Sequence, residues 1–283
     1  MGFFGRRFSL KTIILGPPGT GKTTTLLNLV EEFLRAGTDI KKIGYFSFTK
    51  RAAWEAIHRA EDKFMIDKKE IPYFKTLHSL AFHVLNIKKE RMMKHADYRD
   101  FGQKCGIPIQ SAWYSDEDGI FNSDNEYLRV INRARVKQID VLEEYDNNNH
   151  LVDIERDLLY LLSEELKRYK KEKGLVDYDD MLENFIKENP SVPLDVLFID
   201  EAQDLSSLQW SMVRALWKRV EKTYIAGDDD QAIFRWAGAD VDHFIALREE
   251  VDFINTLDQS YRIPGGPIHE LSQDIIKKVT NRY

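Results

Sequence analysis

Residues 16–23 read Gly-Pro-Pro-Gly-Thr-Gly-Lys-Thr, a spacing that suits the phosphate chain of a nucleotide. Glycines in such a P-loop let successive backbone N–H groups turn inward around a phosphate. The lysine then reaches the β- and γ-phosphates, and the threonine hydroxyl reaches a Mg²⁺ ion. The pattern therefore predicts a nucleotide and Mg²⁺ site. Its expected residues are Gly16, Pro17, Gly19, Thr20, Gly21, Lys22, Thr23 and Thr24.

A P-loop needs a second, acidic element that holds Mg²⁺ and orients water. Asp200 and Glu201 come directly after the apolar run 196–199, so the end of a buried strand would supply them. We expect Asp200 to bind the metal together with Thr23, and Glu201 to accept the proton of the attacking water. Acidic residues after a strand are often only a loop or a helix N-cap. Beside a P-loop, the catalytic interpretation is favoured.

Apolar strand-like runs and helical patterns alternate along most of the chain. Strands are predicted at 12–15, 43–48, 73–76, 196–199, 223–226 and 253–257, and helices at 26–34, 49–63, 78–85, 177–186, 206–220 and 241–250, with a last helix after 264–267. This alternation is typical of an α/β fold with a mostly parallel sheet. The candidate chemical residues follow the predicted strands, so they should meet at one edge of that sheet.

Residues 88–174 differ in character, with many charges and almost no strand-like runs. We interpret them as a helical insertion with amphipathic helices at 126–145 and 151–171, loops at 114–125 and 146–150, and Gly174 as a helix cap. Two basic clusters lie here, and each is either a phosphate contact or a solvated helix face. They consist of Arg129, Arg133, Arg135 and Lys137, and of residues 167–173.

Composition narrows the class of protein. The 283 residues allow one large or two ordinary domains, and 43% hydrophobic residues suffice for a packed core. The net charge of −6 argues against a uniformly basic nucleic-acid binder, so such binding would use a local patch. Cys105 is the only cysteine, which excludes an internal disulfide or a cysteine-rich zinc site. No apolar run approaches the roughly 18 residues of a membrane span, and the expected location is cytoplasmic.

Seven motifs, taken together and in order, resemble the first motor lobe of superfamily 1 DNA helicases of the UvrD/Rep type. After the P-loop come Phe-Ser-Phe-Thr-Lys-Arg-Ala-Ala at 46–53, Thr-Leu-His-Ser-Leu at 76–80, Asp-Tyr-Asp-Asp at 177–180, Asp-Glu-Ala-Gln-Asp at 200–204, the segment 227–238, and Gln-Ser-Tyr-Arg at 259–262. The family's glutamine motif has no counterpart in residues 1–11, and Ala237 stands where relatives usually carry arginine.

The resemblance implies a RecA-like P-loop NTPase sheet, with helices on both faces and an inserted helical subdomain. Residues 1–87 and 175–262 would form motor domain 1A, and residues 88–174 the insertion 1B. Residues 263–283 would begin the second motor lobe or close 1A. The second lobe itself is expected to lie outside this sequence.

The resemblance also implies site residues and partners. ATP and Mg²⁺ would be the cofactors, with single-stranded DNA and single/double-strand junctions as partners and no membrane. The chain would be the ATP-hydrolysing lobe of a 3′-to-5′ helicase or translocase, inactive in unwinding by itself. Gln203 and Gln231 would sense the γ-phosphate, Arg262 would touch it, and Tyr261 would stack on adenine. The strand would contact Phe48, Phe234 and Trp236 through bases, and Thr49, Lys50, Arg51 and His78 through its backbone.

A second class of function stays open at this point. A P-loop switch or binding module would use the nucleotide state to control a protein partner instead of movement along a strand. Such a switch does not need aromatic residues next to its phosphate-sensing motifs. Phe234 and Trp236 stand in that position, and they favour the helicase interpretation.

Overall fold

The computed structural model describes residues 9–148 and 153–262, together with residues 266, 270–271 and 274–275. Most of the segment 263–283, in which the sequence predicts a last helix, lies outside the described residues. In chain order the elements are β1 (Leu10–Leu15), α1 (Lys22–Arg35), β2 (Ile43–Ser47), α2 (Lys50–Phe64), β3 (Phe74–Thr76), α3 (Leu77–Val84), α4 (His95–Cys105), β4 (Ala112–Tyr114), β5 (Phe121–Ser123), α5 (Glu126–Lys137), α6 (Val141–Asn148), α7 (Arg156–Lys173), α8 (Tyr178–Glu188), β6 (Val196–Asp200), α9 (Ser207–Trp217), β7 (Lys222–Gly227), α10 (Val241–Ala246) and β8 (Phe253–Thr256).

Within the described residues, six strands form one sheet in the order β3-β2-β6-β7-β1-β8, and every neighbouring pair in it is parallel. Successive residues of a strand point to opposite faces, so both faces of a strand with helices on each side must be apolar. Ile13 and Ile14 of β1 are both fully buried and belong to different core clusters. The prediction of an α/β fold with helices on both faces of a parallel sheet is confirmed.

Each face of the sheet has its own helices. Leu26 and Val30 of α1 and Ala56 of α2 pack with Tyr45 on one face. On the other face, α3, α8 and α9 bring the core residues Leu80, Phe185 and Trp210 among others. The apolar stripes of these helices, spaced three and four residues apart, dictate this placement because each stripe must be buried against a layer.

The insertion has a third core of its own, built from α4, α5 and α7. Its ends lie side by side, since the Met93 N–H donates to the Val176 carbonyl at 2.8 Å and the Val176 N–H donates to the Arg91 carbonyl at 2.8 Å. Gly174 ends α7 in the left-handed conformation, as expected. The subdomain limits of 88 and 174 stay a prediction that this close approach of the two ends supports.

Three sequence predictions within the insertion are wrong. The loop expected at 146–150 is helical at its start, because α6 continues to Asn148. Residues 114–125, expected to be a loop, contain part of an antiparallel pair, β4 with β5, in which Trp113 faces Asn122. The helix expected at 126–145 is broken, because Gln138 adopts a left-handed φ of 58° and its N–H donates to the carbonyls of Ala134 and Arg135. The chain therefore turns before α6 begins at Val141.

The first basic cluster is largely used inside the protein. Arg135 donates to Asp177 at 2.7 Å and to Asp180 at 2.7 Å, and Lys170 of α7 contacts the same two carboxylates at 2.6 and 2.8 Å. Arg133 and Lys137 pair with the buried Glu144. Arg135 and Lys170 tie α5 and α7 to the start of α8, and Arg133 and Lys137 tie α5 to α6. Neither of the two interpretations left open by the sequence describes these side chains.

Loss of one cation from this buried network should destabilise the fold. Arg135→Met leaves the buried Asp177 and Asp180 short of a partner, and we expect the free energy of unfolding to fall by about 3–5 kcal/mol. Arg129→Met, on the same helix, removes only a surface pair with Glu126 and should cost about 0–1 kcal/mol. Urea denaturation measures both variants, and equal small losses would contradict the assigned role.

Candidate nucleotide and nucleic-acid site

The P-loop has the backbone that its glycines permit. Gly19 and Gly21 have φ values of 78° and 85°, in the left-handed region, and α1 begins directly afterwards at Lys22. The Lys22 side chain is buried against the loop, where its Nζ donates to the Gly16 carbonyl at 2.7 Å. The amino end of α1 and its N–H groups thus line the cleft, an arrangement that favours a bound phosphate.

Asp200 is a buried carboxylate at the end of β6 with three donors around it. Thr23 Oγ1 donates to Asp200 Oδ2 at 2.8 Å and the Tyr45 hydroxyl donates to the same oxygen at 2.7 Å. The Glu201 N–H donates to Oδ1 at 3.0 Å. Burial, and then the Glu201 carboxylate, raises the pKa of Asp200, while these hydrogen bonds oppose the rise.

The oxygens of Thr23 and Asp200 fit a Mg²⁺ ion by their chemistry. Mg²⁺ prefers hard oxygen ligands and usually takes only one or two from the protein, with water and substrate phosphates completing its shell. The two oxygens already lie 2.8 Å apart beside the phosphate-binding loop. These two residues are therefore the ones in the described chain that would hold the metal.

A row of amide and carboxylate groups crosses the carboxyl edge of the sheet. Gln203 Nε2 donates to Glu201 Oε2 at 2.8 Å, and the Asp228 N–H, after β7, donates to Gln203 Oε1 at 3.0 Å. Gln231 Nε2 in turn donates to the Asp228 carboxylate. Glu201 has a left-handed φ of 53°, which costs energy for a residue other than glycine and is typical of functional positions.

Most of the predicted nucleotide residues line one cleft of about 630 Å³, but Gly16, Pro17, Asp200 and Gln203 are not among its lining residues. The segment after β8 closes it: the Tyr261 N–H donates to the Gly19 carbonyl at 2.9 Å, and Ser260 Oγ donates to the Pro18 carbonyl at 2.7 Å. Tyr261 itself is 76% exposed, which leaves its ring free for stacking. The lining residues are Pro18, Gly19, Thr20, Gly21, Lys22, Thr23, Thr24, Glu55, Arg59, Glu201, Gln231, Tyr261 and Arg262.

Sequence reasoning missed three residues of this site. Tyr45 reads as one more core residue of an apolar strand, and Glu55 and Arg59 read as an ordinary ion pair on the surface of a helix. Arg59 brings a guanidinium to the cleft, with Nη1 3.5 Å from Thr24 Oγ1. No local signal marks Arg59, because its place depends on how α2 packs beside α1.

The predicted strand-binding aromatics gather after β2 and β7 but differ in exposure. The Phe48 and Phe234 rings lie 5.2 Å apart, and Trp236 is 64% exposed on the short 3₁₀ turn Arg235–Ala237. Phe48 is only 6% exposed, so the structure corrects its expected exposure. Its ring supports Phe234 from the core, and Trp236 is the aromatic that is presented to solvent.

The predicted backbone contacts lie next to these aromatics. Thr49 caps α2 by accepting from the Ala52 N–H at 3.0 Å, and the exposed Lys50 and Arg51 follow in its first turn. His78 is 9% exposed, and burial together with the nearby Lys50 lowers its pKa to about 4. His78 is therefore neutral at neutral pH and offers a hydrogen bond, not a charge.

The sequence model of the UvrD/REP helicase N-terminal domain matches residues 6–252 of this chain. The chain belongs to the UvrD/Rep helicase family. The matched region includes β1 to α10, and hence the P-loop, Asp200 and the insertion. The resemblance drawn from the seven motifs is thus confirmed at the level of the family.

Individual relatives are distant in sequence but similar over most of the chain. ATP-dependent DNA helicase Rep of Buchnera aphidicola subsp. Baizongia pistaciae is 23% identical over 266 residues, which cover 89% of this chain and 39% of the relative. ATP-dependent DNA helicase PcrA of Staphylococcus aureus strain Mu50 is 24% identical, over 95% of this chain and 38% of the relative. The chain thus spans about two fifths of the length of these relatives.

In the part of the chain that the structure describes, no helix is both long and apolar enough to cross a bilayer.

Lys22 should be essential for nucleotide affinity, because its ammonium is the mobile cation that the loop itself brings to the phosphates. We expect Lys22→Ala to weaken Mg·ATP binding by about tenfold or more. Lys218→Ala, an exposed lysine after α9, is the matched control. Isothermal titration measures both, and an unchanged affinity of Lys22→Ala would place the phosphate site elsewhere.

Glu201 should act on the attacking water and contribute little to binding. Glu201→Gln keeps the side-chain shape and removes the base, so hydrolysis should fall by about 10²–10⁴-fold. Affinity for a non-hydrolysable ATP analogue should stay close to that of the unmodified chain. Phosphate release and titration separate the two effects, and a joint loss of binding and hydrolysis would assign Glu201 a metal-binding or structural role.

Proposed function

We propose that this chain is the ATP- and Mg²⁺-binding motor lobe of a 3′-to-5′ DNA helicase or translocase, and that single-stranded DNA stimulates its hydrolysis. The observation that carries the proposal is the row from Glu201 through Gln203 to Asp228. These groups join the expected hydrolytic base to the loop that carries Phe234 and Trp236. A nucleotide-dependent shift of Glu201 would therefore be transmitted through these hydrogen bonds to the loop that carries Trp236.

The roles of the residues follow from their places. Lys22 and the N–H groups at the start of α1 bind and orient the phosphates, and Glu201 takes a proton from water. Bound Mg²⁺ supplies positive charge beside the phosphates, and Thr23 and Asp200 are the residues that would hold it. Arg262 follows the segment that closes the loop at Gly19, so its guanidinium is available for the γ-phosphate.

On the turn Arg235–Ala237 that follows β7, Trp236 is the proposed stacking platform for bases. Stacking depends on the flat face of a base and not on its identity, so binding would be independent of sequence. Lys50 and Arg51 would follow the backbone, and the partners would be single strands and single/double-strand junctions. The family's direction of movement is the basis for the proposed 3′-to-5′ polarity.

Salt dependence should distinguish stacking from phosphate contacts. Trp236→Ala should weaken binding to oligo(dT) by about 1–3 kcal/mol with little change in the slope of log affinity against log salt. Arg51→Ala should reduce the magnitude of that slope by about 0.7, because one phosphate contact and its released counterion are lost. Fluorescence anisotropy over a salt series measures both.

Arg99→Ala, an exposed arginine on α4 of the insertion, is the control for Arg51. Equal slopes for Arg51→Ala and Arg99→Ala would contradict the backbone contact. A complete failure to bind any nucleic acid, with ATP binding intact, would favour the P-loop switch that acts on a protein partner.

The 283-residue polypeptide should not unwind duplex DNA by itself. Translocation in this architecture requires two lobes that close and open so that two grips on the strand alternate. A cation from an opposite lobe is typically worth about 10³–10⁵ in rate for P-loop enzymes, so basal hydrolysis should also be slow. A strand-displacement assay on a forked duplex tests this expectation, and robust ATP-dependent unwinding by the monomer would contradict it.

A further inference from the structure

The turn between β4 and β5 carries three consecutive acidic residues, Asp116, Glu117 and Asp118, and it lies against the start of α2. The Lys50 N–H donates to the Glu117 carbonyl at 2.7 Å, and the Arg51 N–H donates to Glu117 Oε1 at 2.9 Å. Lys50 Nζ also lies 3.5 Å from Asp116 Oδ1. The insertion thus reaches the residues proposed to follow the nucleic-acid backbone.

These contacts occupy backbone N–H donors at the amino end of α2 that have no partner within the helix. The first N–H groups of a helix have no partner within it, and together with the helix dipole they attract anions such as phosphate. In α2 the Lys50 and Arg51 N–H groups bind Glu117, and the Ala52 N–H binds Thr49 Oγ1 at 3.0 Å. A strand phosphate can therefore reach the Lys50 or Arg51 N–H only where Glu117 has left.

The same turn also covers His78. Gly119 has a left-handed φ of 73°, and a Cβ atom there would lie 3.1 Å from His78 Cε1, so the turn backbone fits closely over the imidazole. A cleft of about 360 Å³ next to this contact is lined by Phe48, Lys50 and His78 together with residues 116–119. Three carboxylates at this place repel a polyanion.

We propose that residues 116–118 act as an intramolecular phosphate mimic, which competes with the nucleic-acid strand for the amino end of α2. Strand binding then requires the turn to move away, so the turn is an autoinhibitory contact that sets the affinity of the lobe. This inference rests on the proposed function, because it assumes that the strand uses Lys50 and Arg51.

The acidic turn can separate from α2 without losing its own shape. The Asp116 side chain is 93% exposed, and Glu117 is also exposed. The turn is closed by its own bonds, from the Ser115 N–H to the Ile120 carbonyl at 2.8 Å and from the Gly119 N–H to the Ser115 carbonyl at 3.0 Å. Those bonds do not involve α2, so the turn can keep its shape when the contacts with Lys50 and Arg51 break.

Charge removal at Glu117 tests the proposal in the full chain. Glu117→Gln keeps a side-chain acceptor for the Arg51 N–H and removes the charge, and Glu117→Ala removes both. We expect both variants to bind oligo(dT) about five- to tenfold more tightly than the unmodified chain, mainly through faster association. Glu143→Gln, exposed on α6, makes the same change in net charge and is the control.

If the unmodified chain binds oligo(dT) and both Glu117 variants match Glu143→Gln, the autoinhibitory contact is overturned while the proposed function stands. If neither the unmodified chain nor any variant binds oligo(dT), the proposed function itself fails, and this inference fails with it. Tighter binding by both Glu117 variants, but not by Glu143→Gln, supports the inference.

Discussion

A carboxylate buried in a protein needs hydrogen-bond donors, and the arrangement of the nucleotide site follows from how Asp200 obtains them. One donor is Thr23 from the first turn of α1, another is Tyr45 from the neighbouring strand β2, and the third is the adjacent backbone N–H of Glu201. These groups meet only if β1, β2 and β6 are parallel strands of one sheet whose carboxyl ends share an edge. The geometry of the site therefore depends on the order of the strands in the sheet.

The edge that holds Asp200 extends toward the proposed strand-binding face. Gln203 lies between the Glu201 carboxylate and the Asp228 backbone N–H. It has room there because β7 ends in Gly227, where a Cβ atom would lie 2.9 Å from Gln203 Oε1 and 2.5 Å from the Phe244 ring. A side chain at Gly227 would push apart the glutamine and the backbone that it binds. The acidic turn of the insertion contacts the start of α2, next to Phe48 and Lys50. The proposed nucleotide site, the proposed strand-binding face and the acidic turn are therefore connected through hydrogen bonds and side-chain contacts.

The sequence was sufficient for features that depend on local chemistry, and insufficient for those set by distant partners. The P-loop, the alternation of strands and helices, and the cap at Gly174 follow from residue types and spacing. The break at Gln138 was missed because a left-handed residue other than glycine leaves little mark in a sequence. The partners of Arg135 lie more than forty residues away in the chain, and the burial of Phe48 depends on the approach of Phe234. The β4–β5 pair was predicted to be a loop because its strands are short and polar residues border them.

We propose that the buried polar row from Glu201 through Gln203 to Asp228 couples nucleotide binding to strand binding, and a linkage measurement tests this coupling. The affinity of the chain for a non-hydrolysable Mg·ATP analogue is measured with and without saturating oligo(dT), and oligo(dT) affinity with and without the analogue. Coupled sites must change each other's affinity by the same factor, typically about 5–150-fold. We predict such a reciprocal change in the unmodified chain and its loss in Gln203→Ala. Equal analogue affinities with and without bound oligo(dT) in the unmodified chain would show that the two sites are not coupled.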